Sequence, residues 1–167
     1  MKLIVQRVSE ASVTVEESCT GSIGAGYLVL VGCRDDDARK DAEFLAAKLV
    51  ALRIFEDDAG KMNLSIAQTG GSVLLVSQFT LYADTQKGNR PGFQLAGDPT
   101  KANVRFNEFI NEMQNRLGAD KVATGVFGAE MKVALINNGP VTIELCSDSY
   151  PWHGASDTSS LQANSTR

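Results

Sequence analysis

The segment "TGGSVLLVSQFTLYAD" (residues 69–84) carries the strongest strand signal of the chain and decides how its fold is interpreted. Its aliphatic run follows a glycine pair, which is typical of a strand buried within a sheet. The run continues into Ser77, Gln78 and Thr80, whose polar side chains would be costly to bury without partners. With a period of two, Gln78, Thr80 and Tyr82 share one face. This face is predicted to lie either at a solvated sheet edge or in a functional site.

Helices are predicted on both sides of this segment. The first follows the acidic run "RDDD", with Asp36 or Asp37 as N-cap. Its apolar residues recur at spacings of three and four, and it ends near Leu52. The second helix has Asp98 as N-cap and Pro99 at its first helical position, and it stops at the next glycine. The spacing of its apolar residues predicts one buried face, made of Phe106, Phe109, Ile110, Met113 and Leu117.

The remaining apolar runs are predicted strands. Residues 2–17 give two short antiparallel strands, and the continuous apolar run 26–33 gives a central strand. Residues 53–65 give a hairpin, and residues 131–137 and 141–146 give two closing strands. Because the strands do not alternate strictly with the helices, the pattern favours an α+β fold with a mostly antiparallel sheet or open β-barrel and two main helices.

Composition predicts one domain over residues 1–146 and a polar, flexible C-terminal tail over residues 147–167, which is too poor in apolar residues to offset its ordering entropy. A chain of 167 residues with 43% hydrophobic content is long enough to bury its own core. The N-terminus lacks the apolar run of a signal peptide and no segment is apolar enough to span a membrane, so a cytoplasmic protein is expected. The net charge of −4 argues against a broadly basic surface for nucleic acids.

Several classes of active site are disfavoured by the residues present. The one histidine, His153, lies in the predicted tail, which removes the usual base of a serine or cysteine triad. The three cysteines are widely separated and neither CxxC nor HExxH occurs, so they are interpreted as thiols and neither a metal nor another cofactor is expected. Any enzyme built from these residues must act on a substrate that needs little help from side-chain acids and bases.

A second unusual stretch is "INNGPVTIEL" (residues 136–145), in which Gly139-Pro140 interrupts a strand-forming run. Proline donates no ladder hydrogen bond and glycine weakens a strand interior. The pair is either a tight turn between two strands or a functional element.

Taken together, these stretches resemble one known family. "SQFTLYADTQKGNRPGF" (residues 77–93), followed later by "NNGPVTIEL" (residues 137–145), strongly resembles the D-aminoacyl-tRNA deacylases, which proofread chirality by hydrolysing D-amino acids from tRNA. The likeness covers nearly all of residues 1–145, including "VQRVSEASVTV", "LRIFEDDAGKMNLS" and "ATGVFGAEM". It implies the fold of that family, with its two helices and barrel-like sheet.

The resemblance assigns a role to the interrupted strand. It implies that Gly139-Pro140 is a cis dipeptide whose carbonyl oxygens project into the active site of a partner subunit. There they would bind the substrate α-ammonium and leave no room for an L side chain. Asn137 and Thr142 match the family's NxGPxT pattern, and Arg7 matches the arginine that braces the dipeptide.

The resemblance also implies a catalytic motif at Ser77, Gln78, Phe79 and Thr80, whose backbone amides and hydroxyls would hold the ester carbonyl and a water. No base accompanies Thr80, so the 2′-hydroxyl of the terminal ribose is expected to help activate the water.

Four further residues are implied in binding tRNA. Phe127 and Met131 match positions that line the pocket of the terminal adenosine. Lys87 and Arg90 are the cations that remain in a loop that is often more basic in this family, and they would meet acceptor-stem phosphates.

The function predicted from this resemblance is hydrolysis of D-aminoacyl-tRNA, and also of Gly-tRNA misacylated on tRNA-Ala, because a site that excludes L side chains cannot exclude glycine. A homodimer with its active site at the subunit interface is expected, with no membrane partner. One alternative is the related deacylase that removes L-alanine from a wrong tRNA; Ser77 and Phe79 favour the D-specific type. Others are a non-catalytic tRNA-binding module and a hydrolase of another ester that acts through Thr80.

Overall fold

The computed structural model describes residues 1–149 of the chain. The elements in this part are, in order, β1 (Lys2–Val15), β2 (Ser18–Ile23), β3 (Gly26–Gly32), α1 (Arg39–Ala51), β4 (Arg53–Glu56), β5 (Met62–Ser65), α2 (Ile66–Thr69), β6 (Ser72–Ser77), α3 (Pro99–Leu117), β7 (Val122–Thr124) and β8 (Met131–Cys146). Short 3-10 helices occupy Phe79–Tyr82, Ala119–Lys121 and Ser147–Ser149.

The main sheet is organised around β1. Its first half pairs with β3 and its second half with β2, while β8 runs antiparallel along its other side from Lys2 to Val15. Beyond β3 the sheet continues through β6 to β7 in parallel pairs. The two ends of the sheet meet, because a Cβ on Gly21 of β2 would lie 2.6 Å from the carbonyl oxygen of Thr124 in β7. The predicted α+β fold with a barrel-like sheet and two main helices is therefore confirmed.

The core lies between this sheet and helices α1 and α3. As predicted, β3 is central and nearly all of its side chains are buried. Helix α3 places Phe106, Phe109 and Met113 in the core, as its spacing predicted. The hairpin β4–β5 also forms where it was predicted.

Four strands depart from the prediction. Residues 2–15 form one long strand instead of two, and β8 is likewise a single strand that runs through residues 138–140. The polar, exposed pair Ser9 and Glu10 coincides with a register shift, a bulge that sequence alone does not distinguish from a turn. Strands β2 and β7 were missed because each is short and rich in small or polar residues, and β7 is fixed by pairing with β6.

The start of α1 also corrects a prediction, since neither Asp36 nor Asp37 is its N-cap. Ala38 occupies that position, and its backbone N–H donates to the Asp41 carboxylate at 2.7 Å. Asp37 is instead buried against the α-ammonium group of Met1, which also donates to the Ser147 hydroxyl at 2.8 Å. A buried charge needs a counterion, so the Asp37 carboxylate pairs with the Met1 ammonium group instead of capping a helix end that water can solvate.

The first three residues of the predicted tail, Ser147–Ser149, form a 3-10 helix. Ser147 is fully buried and its backbone N–H donates to the carbonyl of Met1 at 2.9 Å. The rest of the predicted tail, residues 150–167 with His153, lies outside the described residues. Within residues 1–149, none of the helices combines the length and apolar character that crossing a bilayer requires.

The predicted cap of α3 gives a test of local stability. The Asp98 carboxylate accepts from the backbone N–H groups of Thr100 at 3.0 Å and Lys101 at 3.2 Å. We expect Asp98→Ala to lower the free energy of unfolding by about 1 kcal/mol, measured by urea denaturation. Asp98→Asn should retain most of the stability, because an amide oxygen also caps a helix. Equal stability of Asp98→Ala and the native chain would contradict this role.

Candidate functional site

The motif segment leaves the sheet after Ser77. The Gln78 N–H still donates to the Val31 carbonyl at 2.8 Å, but β3 ends at Gly32 and offers no further partner. The chain therefore turns into the 3-10 helix Phe79–Tyr82, with Leu81 N–H donating to the Gln78 carbonyl. The prediction that Gln78, Thr80 and Tyr82 share one face of a strand is therefore wrong, because the strand ends before them.

Ser77, Gln78 and Phe79 line a cavity of about 660 Å³ at this end of β3 and β6. Helix α3 closes one side of it, and the segment before β8 closes another. Phe127 in that segment and Met131, the first residue of β8, line the same cavity. The structure thus brings together five residues that sequence predicted for one site, although they are separated by about 50 positions.

Thr80 lies just outside the cavity lining. Its side chain is exposed, and its hydroxyl oxygen accepts from Gln78 Nε2 at 2.6 Å. This contact joins two of the three polar side chains of the motif and turns Thr80 toward Gln78. In this contact the Thr80 hydroxyl accepts from an amide, which cannot take up its proton as a base would. The contact therefore agrees with a role of Thr80 in placing the substrate, and not in nucleophilic attack.

Aromatic rings line the mouth and the interior of the cavity. Phe79 is 56% exposed and packs edge to face against Phe93, with ring centroids 5.0 Å apart. Deeper in, Phe106 of α3 and Phe127 lie 6.0 Å apart. Phe93 and Phe106 were not predicted as site residues. The spacing of Phe106 assigns it to the core, and only the folded chain turns it toward the cavity.

Cys33 is a further cavity residue that the sequence did not indicate. Burial raises the pKa of its thiol to about 12, and the nearby Asp37 carboxylate adds to this rise. A thiol with so high a pKa is neutral at pH 7 and is a poor nucleophile.

Replacing this thiol tests whether it takes part in the chemistry. Cys33→Ala is expected to keep the kcat of the enzyme within about twofold, since no thiolate is available to lose. Iodoacetamide at pH 8 should label the exposed Cys19 well before Cys33. Loss of activity in Cys33→Ala, with an unchanged melting temperature, would show that the thiol acts in the reaction.

The second predicted site lies elsewhere on the chain, at an excursion of β8 from the sheet. Thr142 pairs with Gln6 and Asn137 pairs with Val8, so residues 138–141 bulge outward opposite Arg7. Gly139 and Pro140 are exposed at its tip and their peptide bond is cis. Gly139-Pro140 is therefore an element of a single strand and not a turn between two strands.

Side chains on either side hold this excursion. The Asn137 amide donates to the Val141 carbonyl and to the Thr142 hydroxyl, both at 3.1 Å, and its oxygen accepts from the Val141 N–H at 2.7 Å. Arg7, which is 5% exposed, donates from Nε to the Asn138 carbonyl at 2.7 Å.

Arg7 also ties the excursion to the hairpin β4–β5. Its Nη1 donates to the Ile54 carbonyl at 2.6 Å, and its Nη2 lies 3.6 Å from the Glu56 carboxylate. Neither Gly139 nor Pro140 lines the cavity of their own chain.

Lys87 and Arg90 are exposed in the loop that follows the motif. Backbone hydrogen bonds between Asp84 and Gly92, both 2.8 Å, close this loop at its base. The loop is therefore attached to the chain directly beside the cavity mouth at Phe93, and its two cations are exposed to solvent.

Comparison with known proteins agrees with these features. The family model for D-Tyr-tRNA(Tyr) deacylase matches residues 4–146. The chain is 53% identical over 143 residues to the D-aminoacyl-tRNA deacylase of Bacillus velezensis, covering 86% of this chain and 96% of that protein. It is 54% identical over 156 residues to the D-aminoacyl-tRNA deacylase of Thermomicrobium roseum, covering 93% and 99%.

Solved structures extend the comparison to the fold. The structure of a c-Myc DNA unwinding element binding protein superimposes with a TM-score of 0.83 at 41% identity, covering 87% of this chain and 97% of that one. A probable eukaryotic D-amino acid tRNA deacylase superimposes with a TM-score of 0.76 at 15% identity, covering 86% and 97%, and shares the fold. By its sequence and its fold, the chain belongs to the D-Tyr-tRNA(Tyr) deacylase family, a family of hydrolases.

Proposed function

We propose that the protein hydrolyses the ester bond of D-aminoacyl-tRNA and rejects L-aminoacyl-tRNA by means of Gly139-Pro140 from a second copy of the chain. The observation that carries this proposal is the joining of the Ser77–Phe79 segment with Phe127 and Met131 around one cavity. An aromatic wall suits the terminal adenosine of tRNA, and the polar motif lies beside it.

Catalysis in this cavity would consist of placement and electrostatic stabilisation. The first N–H groups of a helical turn have no partner within that turn, so those of Phe79 and Thr80 are the donors proposed for the ester carbonyl oxygen. Water attacks the carbonyl carbon and the ribose oxygen leaves as an alcohol. The neighbouring 2′-hydroxyl of the terminal ribose assists this water, because the motif supplies no acidic or basic side chain.

Selection against L substrates is proposed to come from the excursion of β8. Its tip is exposed, is braced by Arg7 and Asn137, and lies outside the cavity of its own chain. An element held in a fixed shape but exposed suits insertion into the cavity of a second copy. The proposed working unit is therefore a homodimer with its active sites at the interface, in which Lys87 and Arg90 face the phosphates of the acceptor end.

The deciding experiment compares hydrolysis of D-Tyr-tRNA and L-Tyr-tRNA by nanomolar enzyme, with Thr80→Ala assayed in parallel. Rapid loss of the D-ester alone is expected, and light scattering should show a dimer. Cleavage of neither ester would favour a tRNA-binding module without activity. Cleavage of L-Ala-tRNA but of neither Tyr-tRNA would favour the L-alanine-specific deacylase. A fully active monomer would exclude the shared active site.

Glycyl-tRNA is the second proposed substrate. A site that selects by excluding the L side chain has nothing to exclude in glycine, so Gly-tRNA misacylated on tRNA-Ala should also be hydrolysed. Equal lifetimes of Gly-tRNA with and without the enzyme, under conditions that remove D-Tyr-tRNA, would refute this part of the proposal.

A further inference from the structure

Tyr82 ends the 3-10 helix that carries the motif, and two cations lie over its ring. Lys2 Nζ lies 5.5 Å from the centroid of its ring, and Arg34 Cζ lies 5.4 Å from it. Both cations are themselves held in place. Lys2 lies 3.7 Å from the Glu144 carboxylate, and Arg34 Nη2 donates to the Asp148 carboxylate at 3.1 Å. A cation over an aromatic face is attracted to it, so each of these contacts helps to hold the ring in place.

The ring of Tyr82, and not its hydroxyl, makes these contacts. The side chain is only 7% exposed, yet its hydroxyl has no hydrogen-bond partner in the part of the chain that the structure describes. A buried hydroxyl without a partner opposes folding. The hydroxyl therefore adds nothing to the attraction between the ring and the two cations, and the ring of a phenylalanine would hold the turn equally well.

The turn that Tyr82 ends lies directly against the backbone of Gly32. A Cβ placed on Gly32 would be 3.1 Å from Leu81 Cβ, 3.2 Å from Tyr82 Cε2 and 3.3 Å from the Gln78 carbonyl oxygen. Such distances are tighter than ordinary contacts, so a methyl group at this position would push the turn outward by a few tenths of an ångström. The position of the motif is thus set by close packing against Gly32 and by the Tyr82 ring that the two cations hold.

We propose that Tyr82 is a positioning residue of the reaction: its ring, held by Lys2 and Arg34 and close to Gly32, fixes the Phe79–Tyr82 turn so that Phe79 and Thr80 face the scissile ester. Tyr82 does not itself line the cavity, and its ring acts through the backbone of the turn. This inference rests on the proposed function, because the turn matters only if the motif holds the ester.

The test perturbs the turn from two directions and separates kcat from KM for D-Tyr-tRNA. Tyr82→Leu, which removes the ring, and Gly32→Ala, which inserts a methyl group against the turn, should each lower kcat roughly tenfold and change KM by less than about twofold. Tyr82→Phe should retain the kcat of the native enzyme, with an equal or higher melting temperature, because it removes only the unpartnered hydroxyl.

The matched control is Phe109→Leu, which truncates a fully buried aromatic residue of α3 outside the cavity lining. It should lower the melting temperature and leave kcat unchanged. Native kcat in folded Tyr82→Leu or Gly32→Ala would overturn the inference, as would an equal fall of kcat in Phe109→Leu. The native enzyme in the same assay reports separately on the proposed function, since its failure to cleave D-Tyr-tRNA would refute that function itself.

Discussion

Gly139→Ala is expected to lower the kcat for D-Tyr-tRNA roughly 100-fold, because it displaces the tip of the β8 excursion. A Cβ at this position would lie 2.6 Å from Val141 Cγ2, 2.7 Å from the Val141 nitrogen and 3.2 Å from Arg7 Nη2. Gly139 also has a φ of +150°, which side chains of L-residues rarely adopt. The tip must therefore move away from both the backbone of Val141 and the guanidinium that braces it.

The matched control for this variant is Gly60→Ala. Gly60 also has a positive φ, 72°, but a Cβ there would meet nothing within 4 Å, and it lies in the turn of the β4–β5 hairpin. It should lose some stability and keep its kcat. Single-turnover hydrolysis of D-Tyr-tRNA and L-Tyr-tRNA measures both variants. Native rates and native selectivity in Gly139→Ala would remove the dipeptide from the proposed site.

Arg7→Lys is expected to lower both the free energy of unfolding and the kcat. Arginine donates in two directions, to the Asn138 carbonyl and to the Ile54 carbonyl, from a position that is almost fully buried. A lysine ammonium is a single point charge and cannot reproduce this fork, so at least one of the two carbonyls loses its donor. The expected loss is about 1.5–3 kcal/mol, with kcat lowered at least roughly tenfold as the excursion loses its brace.

The same substitution at Arg53 is the control. Its Nε donates to the Asn63 carbonyl at 2.7 Å, but this contact is exposed, so Arg53→Lys should cost less than about 0.5 kcal/mol and leave kcat unchanged. Urea denaturation and hydrolysis of D-Tyr-tRNA give the two readouts. If Arg7→Lys is as stable and as active as Arg53→Lys, the brace contributes nothing to the function.

Elements whose ends are marked by local chemistry were predicted correctly from the sequence. Helix α3 is the clearest case, because Asp98 caps the backbone of its first turn and Gly118 follows its last residue. Each signal acts on backbone groups that lie only a few residues away from it. The hairpin β4–β5 was predicted for the same reason, since the turn that joins its strands is local.

Elements whose ends depend on distant partners were not predicted. The strand β6 stops at Ser77 because its neighbour β3 stops at Gly32, and nothing in residues 69–84 reports where that neighbour ends. The break between the two predicted strands at the C-terminal end was inferred from Pro140, which in the structure lies in a bulge that the unbroken strand β1 holds in place.

The candidate site shows the same contrast between residues that a local signal marks and residues whose role depends on distant partners. The motif residues and Gly139-Pro140 were conspicuous as polar or irregular residues within apolar runs, but their roles came from the resemblance alone. Cys33 and Phe93 gave no such signal, because Cys33 ends an apolar run typical of a core strand and Phe93 follows a polar loop, and only the fold brings them to one cavity.

The pairing of β1 with β8 has a consequence for synthesis of the chain on the ribosome. Because Lys2 of β1 pairs with Cys146 of β8, β1 leaves the exit tunnel long before β8, the strand that covers this edge of β1, has been synthesised. At about 5–20 residues per second, the wait is on the order of 10 s, during which β1 exposes an unpaired hydrophobic edge. Nascent chains of this protein should therefore be clients of ribosome-associated chaperones, and slow codons late in the message should favour aggregation.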